Sequence, residues 1–447
     1  MSKTAKWAIG IGAAIFLVFM AATLAGIYFT IAATTGKKMF DEGYAAMSRG
    51  EYDQAIPKFD SALRAPFNLR YRAYALVDRA YCYQIKHRRD EAISGYTAAL
   101  QINPKLAFAY AGRGALHEQK HEMGQAFDDY TAAIRLDPNA SETLYRRGLI
   151  FSQRRDFNKA IADFSEAIRS FPNYGAAYLE RGIAYSRQND LDAALASFDS
   201  ALRVWPRYSF AHLQRGYLYR RRKEPLKAIA DFTDVILLEP RNTAALRERG
   251  FVFAEEEMWR EAIADFSQVL RIQPKDAVAL EARGNCHRYA DDYADAIADF
   301  TELIQVKPSR HAFEFRARAH TLAGEFALAI IDYKRAAQEK GPATRIAKGL
   351  AWLRATCPDP AFLDPQEALG SAIEDCVRTA WNDANCLDTL AAASAAAGDF
   401  DDAVRYEEEA LTCSDLHPKY RIKMQERIAL FQKHHPYREV IKKPSQD

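Results

Sequence analysis

Residues 250–284 read GFVFAEEEMWREAIADFSQVLRIQPKDAVALEARG, and their spacing decides the fold. Gly250 opens the stretch. Ala262 follows twelve residues later, Phe266 four after that, and Pro274 twelve after the alanine. Gly284 then starts the same spacing again. Outward in both directions the alanine recurs as Ala55, Ala92, Ala126, Ala160, Ala194, Ala228, Ala262, Ala296 and Ala329. The steps are 37, then 34 six times, then 33. Each alanine is followed at four residues by an aromatic: Phe59, Tyr96, Tyr130, Phe164, Phe198, Phe232, Phe266, Phe300 and Tyr333. Proline follows at twelve residues in seven cases, Pro104 through Pro308, and glycine precedes at twelve in seven cases, Gly43 and Gly114 through Gly284.

Each slot has a physical reason. Small residues let two helices approach closely, and the aromatic packs behind them toward the next unit. Proline has no N–H, so it ends the second helix. A lone pair of helices cannot bury its apolar face, so such units stack on one continuous core. The pattern resembles the tetratricopeptide repeat, and spacing and residue type agree through nine units. The resemblance implies an all-α, right-handed superhelical solenoid of helix pairs. The expected organisation is an N-terminal tail and transmembrane helix over 1–36, nine repeat units over 37–342, divergent repeat-like units over 343–415, and a capping helix and tail over 416–447. In the divergent part, AWLRATCPDP, LDTLAAA and AGDFDDAV resemble a C-terminal module of bacterial tetratricopeptide proteins. The final helix spans about Lys419 to Lys433, and the tail from His434 onward reads as mobile.

The 447 residues carry 61 basic and 59 acidic side chains, a net charge of +2 that excludes the broad positive field of a dedicated nucleic-acid binder. From Trp7 to Gly36 there is no charged residue. That run matches the roughly 20 apolar residues of a bilayer-spanning helix. Lys3, Lys6, Lys37 and Lys38 flank it. A single span over 7–33 is therefore expected, in a bacterial inner membrane, with the bulk of the chain periplasmic.

An arginine precedes the glycine slot in successive units, from Arg79 and Arg113 to Arg316, and an aspartate precedes many of the aromatics, among them Asp129, Asp231 and Asp332. A feature repeated in every unit serves stacking more often than recognition, so an Arg–Asp clasp is expected. Cys82 and Cys286 share a first-helix slot with Leu116 and Ile150 and read as core residues. Cys357, Cys376, Cys386 and Cys413 cluster late in the chain, and their spacing does not reveal a pairing.

His117-Glu118-Gln119-Lys120-His121 is a literal HExxH, which on a helix would offer two zinc ligands and a base. The repeat register opposes a zinc hydrolase, because His117 occupies a core-facing slot and His121 falls where the first helix ends. No phosphate loop, nucleophile elbow or dinucleotide fingerprint is present. No catalytic residue, metal or cofactor is assigned, and the chain is read as a non-enzyme.

The resemblance implies that first helices line a concave groove. Carried over to this sequence, its groove positions fall on Tyr74, Tyr81, Phe108, Tyr145, Phe210, Tyr217, Arg220, Arg221, Arg247, Phe251, Arg288 and Arg318. Aromatics and arginines suit recognition surfaces. The expectation is a membrane-anchored scaffold that binds protein or peptide partners, with an acidic segment near Arg220, Arg221 and Arg247. The alternative is an envelope-biogenesis factor that binds a cell-wall or polysaccharide assembly enzyme or polymer.

Overall fold

The structure is a computed structural model that describes residues 3–65, 68–339, 344–414, 416 and 418–440; of residues 3–19, 27, 29, 31, 344–347, 418 and 419 it describes the backbone alone. Every regular element among the described residues is helical. Two compact units divide at residues 214 and 215, inside the helix Ser209–Arg221.

In the first unit, helices pair as antiparallel hairpins: Lys3–Ser48 with Tyr52–Arg64, Leu69–Ile85 with Arg89–Ile102, and Ala107–Gln119 with Met123–Leu136. Ser141–Gln153 with Phe157–Ser170 and Gly175–Arg187 with Leu191–Val204 complete it. In the second unit Pro225–Leu238 is followed by the pairs Thr243–Glu255 with Trp259–Ile272, Ala277–Tyr289 with Tyr293–Val306, and Arg310–Leu322 with Phe326–Gln338. Thr344–Thr356 with Pro365–Arg378, Ala384–Ala397 with Phe400–Thr412, and the terminal helix Pro418–Phe431 follow. From Ile102 to Val306, second helices stop two residues before the proline slot, as a residue with no N–H and a restricted predecessor requires.

The glycine slot is explained by its own hairpin. A Cβ built on Gly182 would lie 2.6 Å from the Phe198 ring, and one on Gly148 or Gly284 would lie 2.7 Å from Phe164 or Phe300. The aromatic therefore sits on the bare Cα of the first helix in the same unit. This refines the expectation that it packs chiefly toward the next one. Phe59, Phe164, Phe232, Phe266 and Phe300 are fully buried, as are the alanines of the repeat. Each such ring contributes about 1.5–3 kcal/mol relative to an exposed one.

Between the two helices of each repeat hairpin up to Phe326–Gln338, and again before Phe400–Thr412, the chain turns through a left-handed residue. His87, His121, Arg155, Asn189, Lys223, Glu257 and Asp291 have φ between 58° and 65°, one per repeat. Gly50, Gly324 and Gly398 do the same work without a Cβ penalty. The turn is closed by bonds such as Glu122 N–H to His117 C=O at 2.9 Å and Met258 N–H to Phe253 C=O at 2.8 Å, the six-to-one pattern of a Schellman cap.

One expectation is overturned: among the described residues no helix is long and apolar enough to cross a membrane, against the single span expected over 7–33. The apolar run is the front of one 46-residue helix that continues through Gly36, Lys37 and Lys38 into the first hairpin. The side chains of residues 7–19, 27, 29 and 31 lie outside the described ones. The single-pass inner-membrane location falls with the span. Of the tail expected from His434 onward, residues 436–440 form no regular element and lie against the helix Thr344–Thr356, and residues 441–447 lie outside the described ones.

Candidate functional site

The repeated arginine is a structural staple. Arg113, Arg147, Arg215, Arg249, Arg283 and Arg316 each grip an aspartate sixteen residues on with two parallel N–H···O bonds. In Arg249 these run from Nε and Nη2 to Asp265 at 2.8 and 2.7 Å. The remaining Nη1 reaches back to a hydroxyl of the preceding unit: Arg249 to Thr233 at 2.9 Å, Arg113 to Thr97 at 3.1 Å, and Arg283 to Ser267 at 3.1 Å. The planar guanidinium thus ties its own two helices and its neighbour at once. Where the aspartate slot holds Ser197, Arg181 takes its hydroxyl at 3.2 Å and Ser165 at 3.3 Å instead. Where it holds Gly95, Arg79 turns to Asp60.

The HExxH stretch does not assemble as the motif. The helix ends at Gln119, and His121 is the left-handed residue of the turn, with φ 60°. The four-residue spacing that would align both imidazoles on one helical face is lost. His117 Nδ1 is 2.6 Å from Glu122, and Glu118 accepts from the Tyr130 hydroxyl at 2.5 Å and from Arg146 at 3.2 Å. Burial, then the bond to Glu118, raises the Tyr130 pKa.

The groove residues carried over from the resemblance fall on first helices in both units. In the first unit Phe108 and Tyr81 are exposed, and Tyr74 and Phe108 of successive units stack with ring centroids 6.4 Å apart. Tyr145 is half-buried against Phe164 and Tyr174. Phe210 is exposed. Beside Tyr74, burial pushes the Asp78 carboxyl from 3.8 up to about 6.

In the second unit Tyr217 lies edge-on to Phe232 and Phe251 edge-on to Phe266, so these rings serve the core as well as the face. Arg220 donates to Glu248 at 2.6 Å and to Glu255 at 2.5 Å, with its guanidinium 5.3 Å from the Phe251 ring. The bond to Glu255 raises its pKa further. Arg247 donates to Asp276 at 3.3 Å, and Arg318 pairs with buried Glu314 at 2.7 Å. Arg221 is exposed. The expected landing place for an acidic segment at Arg220, Arg221 and Arg247 is therefore largely neutralised by carboxylates of the chain itself.

Arg288 differs. Its guanidinium lies 4.1 Å from the Tyr289 ring and gives one N–H to Asn285 at 3.2 Å, while its buried Nε has no hydrogen-bond partner among the described residues. It opens on a cavity of about 310 Å³ whose walls come mainly from first helices, with Arg318, Lys348, Trp352 and Asn385 among them. Glu439 of the C-terminal segment forms part of the same wall. Behind it stands a buried charged cluster: Arg427 donates to Glu407 at 2.9 Å and lies 2.6 Å from Asp388. One guanidinium serves two buried carboxyls there, and burial with mutual repulsion raises the Glu407 pKa.

Spacing alone did not reveal the cavity, the Arg427 cluster or the docked tail. A tryptophan at 352 and the aromatic–basic–acidic run Tyr437-Arg438-Glu439 were the available signals, and neither recurs with the repeat. All six cysteines are free thiols; Cys82 and Cys286 are buried in the core, and Cys376, Cys386 and Cys413 share one apolar cluster.

Comparison with known proteins fits this geometry. The family profile of the tetratricopeptide repeat matches residues 40–107, 145–212, 179–236 and 281–343. A curated relative, the photosystem I assembly protein Ycf3 of Prochlorococcus marinus, is 32% identical over 66 residues, which are 15% of this chain and 38% of that protein. The chain thus spans well under half of that relative's length. Among solved structures, YrrB, described as a TPR protein with an unusual peptide-binding site, is 21% identical at a TM-score of 0.38, covering 41% of this chain and 94% of its own. Pseudomonas aeruginosa PilF is 18% identical at 0.42, covering 49% and 100%, and yeast Tom70 is 14% identical at 0.39, covering 89% and 96%.

Proposed function

We infer that this chain, a tetratricopeptide-repeat protein, is a non-catalytic scaffold that docks segments of protein partners on the face formed by its first helices. The observation that carries this reading is the contrast between its two sets of rings. Second-helix aromatics such as Phe164 and Phe232 are fully buried on glycine. First-helix aromatics at the groove positions, Tyr81, Phe108 and Phe210, are 42–49% exposed. Exposed rings held on rigid helices give a partner contact area at small entropic cost.

The repeated arginines are consumed by the fold, so recognition rests on these rings and on the few polar groups between them. The test is affinity capture from the native source with the wild-type chain, the Tyr74→Ala/Phe108→Ala variant, and Leu237→Ala, which removes an exposed second-helix side chain. Partners should be lost with the first variant and kept with the second. Equal capture by all three chains overturns the assignment of the face.

A further inference from the structure

A segment near the C-terminus packs on the end of a first helix. Residues 436–440 belong to no regular element, and they lie against the last turn of the first helix Thr344–Thr356. The Glu439 N–H donates to the Thr356 carbonyl at 2.8 Å, and Arg438 Nη1 donates to the Ala355 carbonyl at 3.0 Å. Both carbonyls belong to the last turn of the helix, where no intrahelical donor remains. The Trp352 indole N–H donates to the Glu439 carboxylate at 2.9 Å. Tyr437 packs 6.0 Å from Trp352, and the Arg427 guanidinium lies 5.4 Å from Trp352 and 5.5 Å from Tyr437. A main-chain hydrogen bond, one aromatic anchor and one acidic side chain are among the means by which a peptide segment is held.

The segment does not fill what lies beside it. The cavity next to Glu439 keeps about 310 Å³ and is lined by Arg288, Arg318 and Lys348. Arg318 is matched by Glu314 and Lys348 lies 3.6 Å from Asp383. The buried Nε of Arg288 still has no partner among the described residues. A donor left without an acceptor in a partly desolvated wall favours an incoming carboxylate.

We propose that residues 436–440 are a built-in occupant of the C-terminal end of the docking face, and that an extended partner segment bearing an aromatic and, two residues on, an acidic side chain displaces them. The incoming carboxylate takes the Trp352 indole in place of Glu439, and further acidic groups reach Arg288 in the cavity. This rests on the docking reading given above and names the partner class at one end of that face. A simple cap on the helix end would make the same two backbone contacts, but it would not leave a site that binds the same sequence from outside.

The probe is a fluorescein-labelled synthetic peptide of residues 434–440, titrated by anisotropy into the full chain. The wild type should bind it weakly, because the site is filled from within. Tyr437→Ala/Glu439→Gln should bind it about tenfold tighter, the gain expected when an occupant filling the site about nine-tenths of the time is released. Adding Trp352→Phe should remove that gain, and a peptide with glutamine in place of its glutamate should not show it. Equal affinity in the wild type and a folded double variant overturns the proposal. If the double variant does not fold, the wild-type chain with excess peptide decides. Hydrogen exchange at residues 437–440 should rise when the peptide is added, and unchanged exchange overturns it. The capture experiment with Phe108 addresses the other unit, so that the general docking reading and this proposal fail separately.

Discussion

Two regions solve the same problem, a guanidinium among carboxylates, in different ways. In the repeat array six arginines each meet one aspartate sixteen residues on and, in several units, a hydroxyl of the unit before. Charges balance one to one, and the arginine side chains stay about one-fifth exposed. At the C-terminal end one arginine, Arg427, is almost fully buried and faces both Asp388 and Glu407. The array can repeat its solution because every copy is neutral and independent. The C-terminal cluster cannot be neutral with both acids ionised, so burial favours a proton on the pair.

The largest effect should come from breaking the buried cluster. Arg427→Ala leaves two desolvated carboxyls without their cation, and chemical denaturation should show a loss of about 3–5 kcal/mol. A loss below that of a single array arginine would erase the contrast. Next comes the steric test of the array: Gly182→Val forces a Cβ into the Phe198 ring and should cost about 1–3 kcal/mol, read as a lower denaturation midpoint with protection lost first around residues 175–204. The array clasp itself follows. Arg249→Ala leaves Asp265 buried and should cost about 1–3 kcal/mol.

A pH prediction sharpens the same comparison on the docking face. Asp78 is pushed from 3.8 up to about 6 by burial. Between these values the folded chain holds a proton that the unfolded chain has released, so this group's contribution falls as pH rises through that window. Asp78→Asn should flatten the stability profile there and leave the chain about 1–2 kcal/mol more stable at neutral pH. A profile unchanged by the substitution would show that Asp78 is well solvated. The smallest effect is at the turns: Glu257→Gly relieves a left-handed backbone and should stabilise by about 1 kcal/mol or less, seen as a small rise in Tm.

Legibility followed periodicity. The helix pairs, their proline stops and the glycine slots could be placed because Gly, Ala, aromatic and Pro recur at fixed distances. The Arg–Asp spacing of sixteen exposed the clasp in the same way. The left-handed turn was hidden, since His121, Asn189 and Glu257 share a conformation but no chemistry. That hidden turn is also what dismantles the HExxH at 117–121. The docked tail joins Trp352 to Glu439, 87 residues away, through contacts that occur once. No repeat announces such a pairing. The long apolar run at residues 7–33 was read from composition alone, and among the described residues no helix is long and apolar enough to cross a membrane.

In the docking proposed above, partners sit on the first-helix face and not on the second-helix face. Site-specific photo-crosslinking tests it most directly, with benzoylphenylalanine placed at Phe108 on a first helix and at Leu237 on a second, each in the native cell. Both positions are exposed, Phe108 at 49% and Leu237 at 74%, so accessibility alone favours the second. Discrete protein adducts are expected from residue 108 and none from residue 237. Adducts from residue 237 alone would contradict it.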